Sequence, residues 1–182
     1  MRDDPRPASC RWPCWQPIAA SRPFMSAAWW AWIASDDSLT ARLVEAARDR
    51  PFSVRLIAQD VGRPRLDEAR ALAIPPSRHV WRREVALCVD DRPWVMARSV
   101  APLEGLRGQR LGQLGERSLG SWLFSQPGLE RSAIDVACGA SPMPVAEPLW
   151  TRRSVFRLAR VRILVQESFL SRMADDLGLP SR

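Results

Sequence analysis

Between positions 79 and 89 the odd-numbered side chains after His79 are Trp81, Arg83, Val85, Leu87 and Val89, and all but Arg83 are large and apolar. Alternate side chains of an extended chain share a face, so Arg83 falls in the middle of a core face. The even-numbered run Trp94, Met96, Arg98 and Val100 repeats the pattern, and the odd-numbered run Ile163, Val165, Glu167 and Phe169 sets a carboxylate into a third apolar face. An unpaired buried charge costs several kcal/mol, so these three groups must pair with one another or with a ligand. Two guanidinium forks and one carboxyl group in an apolar enclosure suit a small, flat, apolar-bodied anion. Arginine grips a carboxylate with two parallel bonds, and the carboxyl group can accept a hydrogen bond from a ligand hydroxyl. The alternative is a buried Arg–Glu bridge without a ligand, and Arg98 is the first candidate for it. Glu167 is the best acid–base group of the set. Apolar surroundings favour its neutral form, and Arg83 or Arg98 opposes that.

The rest of the inventory removes several other chemistries. All 27 basic residues are arginine, since lysine is absent, and there is no tyrosine. Lysine Schiff bases, pyridoxal-phosphate sites and lysine-bearing phosphate loops are excluded. His79 is the sole histidine, which rules out a multi-histidine metal site and suits a packing role. Cys10 and Cys14 are spaced four apart with no second pair, a weak zinc signal; Cys88 and Cys138 lie in apolar, strand-like runs and read as buried small hydrophobes. No metal is expected. The tryptophans at 81, 94 and 122 read as core.

The net charge is +7, but the arginines are dispersed, and the lack of Lys and Asn beside abundant Ala, Arg, Pro and Trp reads as coding bias. No nucleic-acid partner is expected. Arg152, Arg153, Arg157, Arg160 and Arg162 gather around one turn and read as a solvated face, with phosphate binding as the sharper alternative. No apolar run approaches the ~18 residues of a membrane span. The start lacks the apolar stretch of a signal peptide. The cysteine usage suits a reduced, cytoplasmic protein, and no self-complementary stripe argues against a monomer.

A chain of 182 residues that is 46% hydrophobic and 26% charged is one globular domain. We expect that domain over 25–182, after an irregular or disordered extension over 1–24 rich in Pro, Arg and Trp, with Met25 as a candidate start. Trp29, Trp30, Trp32 and Ile33 read as a short helix. Leu39, Leu43, Val44 and Ala47 form an apolar helical stripe behind the capping Ser38. A strand runs from Phe52 to Ala58, and 60–77 reads as a loop with one helical turn. His79–Val89 and Pro93–Val100 form a hairpin around Asp90–Arg92. Leu103–Gly115 reads as weakly helical. Ser118 caps a short helix ended by Gly128, and Ser132–Cys138 is a strand. A last hairpin pairs Ser154–Ala159 with Ile163–Leu170, and the tail from Ser171 is polar. Short strands joined by tight turns, with helices between, mean an α+β fold on an antiparallel sheet.

The same residues carry a resemblance. Asp37-Ser38-Leu39-Thr40, Trp81-Arg82-Arg83-Glu84-Val85, Cys88 leading to Pro93-Trp94, Arg98-Ser99-Val100-Ala101-Pro102, Leu119-Gly120 with Leu123-Phe124, Trp150 ahead of Arg152-Arg153-Ser154, and Glu167 with Phe169-Leu170 follow in that order. Together they resemble the bacterial chorismate–pyruvate lyases of ubiquinone biosynthesis. The resemblance implies a six-stranded antiparallel sheet with two helical flaps over an internal ligand cavity. It also implies conversion of chorismate to 4-hydroxybenzoate and pyruvate without metal or organic cofactor. By position, Arg83 would hold the ring carboxylate. Leu39 and Leu119 would sit in the flaps and bind partly through backbone N–H groups, and Glu167 would contact the ring hydroxyl of the product. Arg98 stays a candidate binding residue from its place on the strand. Two other readings stand beside this one: a non-catalytic sensor of small aromatic acids with the same fold, and an enzyme that makes another hydroxybenzoate isomer from chorismate.

Overall fold

The hairpin that carries Arg83 and Arg98 turns through Asp90 and Asp91, both at positive φ, 51° and 59°. That geometry matches the right-handed twist of the two flanking strands. The structure, a computed structural model, describes residues 13–106, 115, 117–145 and 148–180. Among these residues eight strands form one antiparallel sheet: β1 (Gln16–Pro17), β2 (Phe52–Gly62), β3 (Val80–Val89), β4 (Arg92–Pro102), β5 (Glu130–Arg131), β6 (Asp135–Cys138), β7 (Pro148–Leu158) and β8 (Val161–Leu170). Their order is β1-β6-β7-β8-β4-β3-β2, with β5 paired to the β7 strand off that path. The helices are α1 (Ile18–Ser21), α2 (Ala27–Ile33), α3 (Leu39–Ala47), α4 (Leu66–Leu72), α5 (Leu119–Phe124) and α6 (Ser171–Leu177), with short 3-10 turns at Arg22–Phe24 and Leu103–Leu106.

The sheet therefore has eight strands where six were expected. The two extra strands are two-residue pairings, β1 on β6 and β5 on β7, too short to leave a hydrophobic period. Residues 16–24, expected to be irregular, hold β1, α1 and a 3-10 turn; residues 1–12, with Cys10, lie outside the described residues. The loop expected over 60–77 is shorter, because β2 runs to Gly62 and α4 follows. Glu68 at the third position of α4 reaches back to the Arg65 N–H at 2.9 Å, which satisfies one of the free donors of that helix start. The polar tail from Ser171 is the helix α6, held by the fully buried Met173 and closed at Gly178, where Leu179 N–H returns to Ala174 O at 2.8 Å. The helix α5 ends at Phe124, before Gly128. Most of the weakly helical stretch expected up to Gly115 lies outside the described residues beyond Leu106.

The sheet is covered on both faces. On the front, α2, α3 and α6 pack Trp29, Ile33, Leu43 and Met173 onto Leu87, Val95, Trp150 and Phe169, and α5 packs Leu119 and Leu123 onto Trp81, Phe156 and Ile163. On the back, α4 packs Ala69 and Leu72 onto Val80, Val100, Val155 and Leu164. At an irregularity in the central hairpin Leu87 faces Val95 and Cys88 faces Pro93, so Trp94 is an extra residue, a β-bulge. Trp94 is fully buried on the front, and its indole donates to Asp176 of α6 at 2.8 Å.

Candidate active site

Strand register arranges the front face in rows. Arg83, Ser99, Val165 and Ser154 lie opposite one another across β3, β4, β8 and β7. The next row is Val85, Ala97, Glu167 and Arg152, and the one after it Leu87, Val95, Phe169 and Trp150. Strands lie about 4.8 Å apart, so Arg83 and Glu167 stand on strands about 9.5 Å apart with small or apolar side chains between them. A pocket rises from this patch, roofed by Leu39 and Thr40 of α3 and by Leu119, Gly120 and Leu123 of α5, with Phe156 and Arg131 at one side.

Arg83 is 2% exposed. Its Nη2 donates to Gly115 O at 2.9 Å and to Arg117 O at 2.8 Å, while Nε has no partner. No carboxylate lies within ion-pair distance of it among the described residues, and burial alone pushes its guanidinium below the ordinary arginine value. Glu167 is held differently. Arg152 Nε donates to its Oε2 at 2.6 Å, and Arg152 Nη1 is fixed by the carbonyls of Trp32 at 3.0 Å, Ile33 at 3.1 Å and Ser35 at 3.3 Å. The carbonyl end of α2 thus aims Arg152, and Arg152 aims Glu167, whose Oε1 remains for a ligand.

The roof is made by two helix starts. Ser38 caps α3 by accepting from Ala41 N–H at 3.4 Å, and Ser118 caps α5 by accepting from Ser121 N–H at 3.2 Å. The first-turn amides of Leu39 and Leu119 have no acceptor within their own helices, and both side chains are buried, 4% and 5% exposed. Thr40 Oγ1 and Ser118 Oγ, 2.6 Å apart, tie the two helices together.

Of the candidates from sequence, Arg83, Leu39, Leu119 and Glu167 converge on this pocket. Arg98 does not. It lies on the back face, where its Nε and Nη2 donate to Glu68 at 2.6 and 3.2 Å and its Nη1 to Glu84 at 2.6 Å. Burial works against its charge, and these bonds more than offset it, holding its guanidinium above the ordinary value. The cause of the misplacement is the bulge: counting alternate residues from Trp94 through an extra residue inverts the face. The arginine beside Glu167 is accordingly Arg152, not Arg83 or Arg98. Arg152, read as part of a solvated stretch, is 2% exposed; Arg157, Arg160 and Arg162 are exposed. A signal was present, since Trp150, Arg152, Ser154 and Phe156 alternate on one face. Arg131, on a two-residue strand, left none. His79 is exposed, as are Cys14 and Cys138, and only Cys88 of the described cysteines is buried. Cys138 therefore departs from expectation, because it ends a short strand near the sheet edge. Among the described residues no three His, Cys, Asp or Glu side chains gather as metal ligands, and no helix is long and apolar enough to cross a membrane.

A family model described as chorismate lyase matches residues 12–178. A probable chorismate pyruvate-lyase of Chromohalobacter salexigens is 60% identical over 177 residues, covering 94% of this chain and 96% of its own. A chorismate pyruvate-lyase of Erwinia tasmaniensis is 37% identical over 150 residues, covering 81% of each chain. Among solved structures, the C-terminal domain of the histidine utilization repressor from Pseudomonas syringae superposes with a TM-score of 0.53 at 12% identity, over 68% of this chain and 94% of that one. The possible transcriptional regulator YydK from Bacillus subtilis gives 0.50 at 13% identity, over 69% of this chain and 61% of that one. At such identities these two likenesses speak for the fold alone. The family match over nearly the whole length, with relatives of high identity, means that the chain belongs to the chorismate lyase family.

Proposed function

We propose that this protein is a chorismate–pyruvate lyase, removing pyruvate from chorismate to leave 4-hydroxybenzoate for ubiquinone biosynthesis. The observation that carries this reading is Arg83, a buried guanidinium with no carboxylate against it among the described residues, at the floor of a pocket whose far side presents the Arg152-held Glu167. A buried cation left without a partner in the fold is matched by an anionic ligand. In this reading the ring carboxylate lies on Arg83, the ring lies over Ser99 and Val165, and the ring hydroxyl donates to Glu167. The amides of Leu39 and Leu119 supply further donors from the roof. Arg98 has no part in binding.

The reaction needs little covalent help. The bond from ring carbon to ether oxygen breaks, and its electron pair leaves with enolpyruvate. The hydrogen on the hydroxyl-bearing ring carbon leaves as a proton, which makes the ring aromatic. Enolpyruvate takes a proton at its methylene carbon and becomes pyruvate. The protein holds the dianion in one orientation, excludes water, and presents fixed charges where the transition state needs them. Every residue invoked comes from one chain, so a monomer suffices, and we place it in the cytoplasm.

The test is direct. Purified protein and chorismate, without added metal, are compared with a no-enzyme control by chromatography and mass. Equimolar 4-hydroxybenzoate and pyruvate are expected. Binding without turnover would replace the reading with the sensor, and a different aromatic acid would replace it with another chorismate-using enzyme.

A further inference from the structure

One guanidinium fork matches one carboxylate, yet chorismate carries two and 4-hydroxybenzoate one. We propose that Arg131 is the second anion-binding residue of the pocket: it takes the enolpyruvyl carboxylate of chorismate and keeps hold of it as pyruvate once the ether bond has broken. The inference rests on the lyase reading above.

Arg131 closes the row that Arg83 begins. From Arg83 the row runs through Ser99 and Val165 to Ser154, and Arg131 Nε donates to Ser154 Oγ at 3.0 Å. The two arginines thus flank the same strip of sheet from opposite ends, with Arg131 on β5, one strand beyond Ser154, so their backbones are about 19 Å apart by strand spacing. Arg131 Nη1 donates to Ser35 O at 2.8 Å, and its guanidinium carbon lies 5.3 Å from the Phe156 ring centroid, a wall of the pocket. Nη2 has no hydrogen-bond partner among the described residues.

The charge is likewise unspent. The acid within ion-pair distance of Arg131 among the described residues is Asp36, at 3.8 Å and with a side chain 93% exposed, a pairing of little strength in water. The Arg131 side chain itself is 12% exposed. Arg152 converges on the same Ser35 carbonyl, but its charge is matched by Glu167. Burial first, and then the neighbouring Arg152, push the Arg131 guanidinium below its ordinary value. A second anion in the pocket relieves that strain, and the substrate brings one.

Substrate and product differ in this carboxylate, which gives the test. In Arg131→Gln, kcat/KM for chorismate falls about 10- to 100-fold, the worth of a charge-assisted bond, mainly through KM. The inhibition constant of 4-hydroxybenzoate stays within about twofold, because a product with one carboxylate never used Arg131. Arg131→Lys recovers part of the loss, and serves as the test variant if Arg131→Gln does not fold. Ser154→Ala, which removes the Nε bond and keeps the charge, changes KM only a few-fold. Equal loss of chorismate and 4-hydroxybenzoate binding would assign Arg131 a merely structural role and overturn the proposal, as would no change in either. Wild-type protein that fails to turn over chorismate removes the lyase reading first, a result separable from any variant.

Discussion

Arg83 and Arg98 stand on neighbouring strands, one row apart, and both are almost fully buried, yet the fold treats them in opposite ways. Arg98 on the back face is clasped by Glu68 and Glu84 and held charged. Arg83 on the front is bonded to two carbonyls, has an idle Nε, and has no acid in reach among the described residues. The difference separates a charge that the fold has already neutralised from one it keeps for a ligand. The covers differ as well. The back is closed by α4 through an ion-pair network. The front is closed by two helix starts joined through a pair of hydroxyls.

Removing one member of a buried ion-pair network leaves its partner stranded, so Arg98→Met should cost about 3–5 kcal/mol of stability. Denaturant melts would show it, while the folded enzyme keeps kcat within about threefold. A large loss of kcat at full stability would put Arg98 back among the site residues. Arg83→Gln should do the reverse. By the usual cost of losing one fixed donor at a reacting anion, kcat/KM drops about 100- to 1,000-fold, and the melting temperature falls little, since no charged partner among the described residues is stranded and the two carbonyls left behind belong to the exposed Gly115 and Arg117. A melt as damaged as that of Arg98→Met would erase the contrast between the two arginines.

Glu68 sharpens the comparison through pH. Burial alone would raise its pKa; the hydrogen bonds and charge of Arg98, with bonds from the Arg65 N–H and Gln166, outweigh it and hold the carboxyl below its ordinary value. A depressed folded pKa means stability that is present above the ordinary value and lost as pH falls through the folded one. Glu68→Gln should therefore cost about 2 kcal/mol at neutral pH. The gap to wild type should narrow below about pH 4.5, as read from urea midpoints. A gap that stays constant with pH would mean that Glu68 acts by shape rather than charge. The smallest effect belongs to the front cover. Thr40→Val removes one hydrogen bond between α3 and α5, worth about 1 kcal/mol, and should speed release of 4-hydroxybenzoate several-fold with little change in melting. The wild type should show product inhibition, as a closed apolar pocket implies. Linear progress curves in added 4-hydroxybenzoate would contradict that.

Much of this was legible in the sequence. Alternation placed Arg83 and Glu167 on apolar faces, the Asp90–Arg92 turn set the central hairpin, and Ser38 and Ser118 marked the two helix starts. The family likeness rested on the same residues. What failed did so for local physical reasons. The bulge at Trp94 reversed the apparent face of Arg98, because both sides of a doubly covered strand are apolar and parity alone cannot flag an extra residue. Arg152 was hidden in a basic stretch whose later members, Arg157, Arg160 and Arg162, are exposed, and Arg131 sits on a strand too short to have a period. The α6 helix looked polar because Met173 and Ala174 are the only side chains it buries.

The rows across β3, β4, β8 and β7 also bear on how the chain reaches its native state. Ser99 meets Val165, 66 residues further on (165 − 99), so the floor of the pocket exists only after β8 has closed that long loop against β4. Loop closure of this kind is entropically costly before it is rewarded, and non-local pairing is slow. No smaller piece of the chain holds Arg83 and Glu167 together. A ligand that bridges them recognises the completed sheet and nothing earlier, so it slows unfolding and leaves the rate of folding as it was.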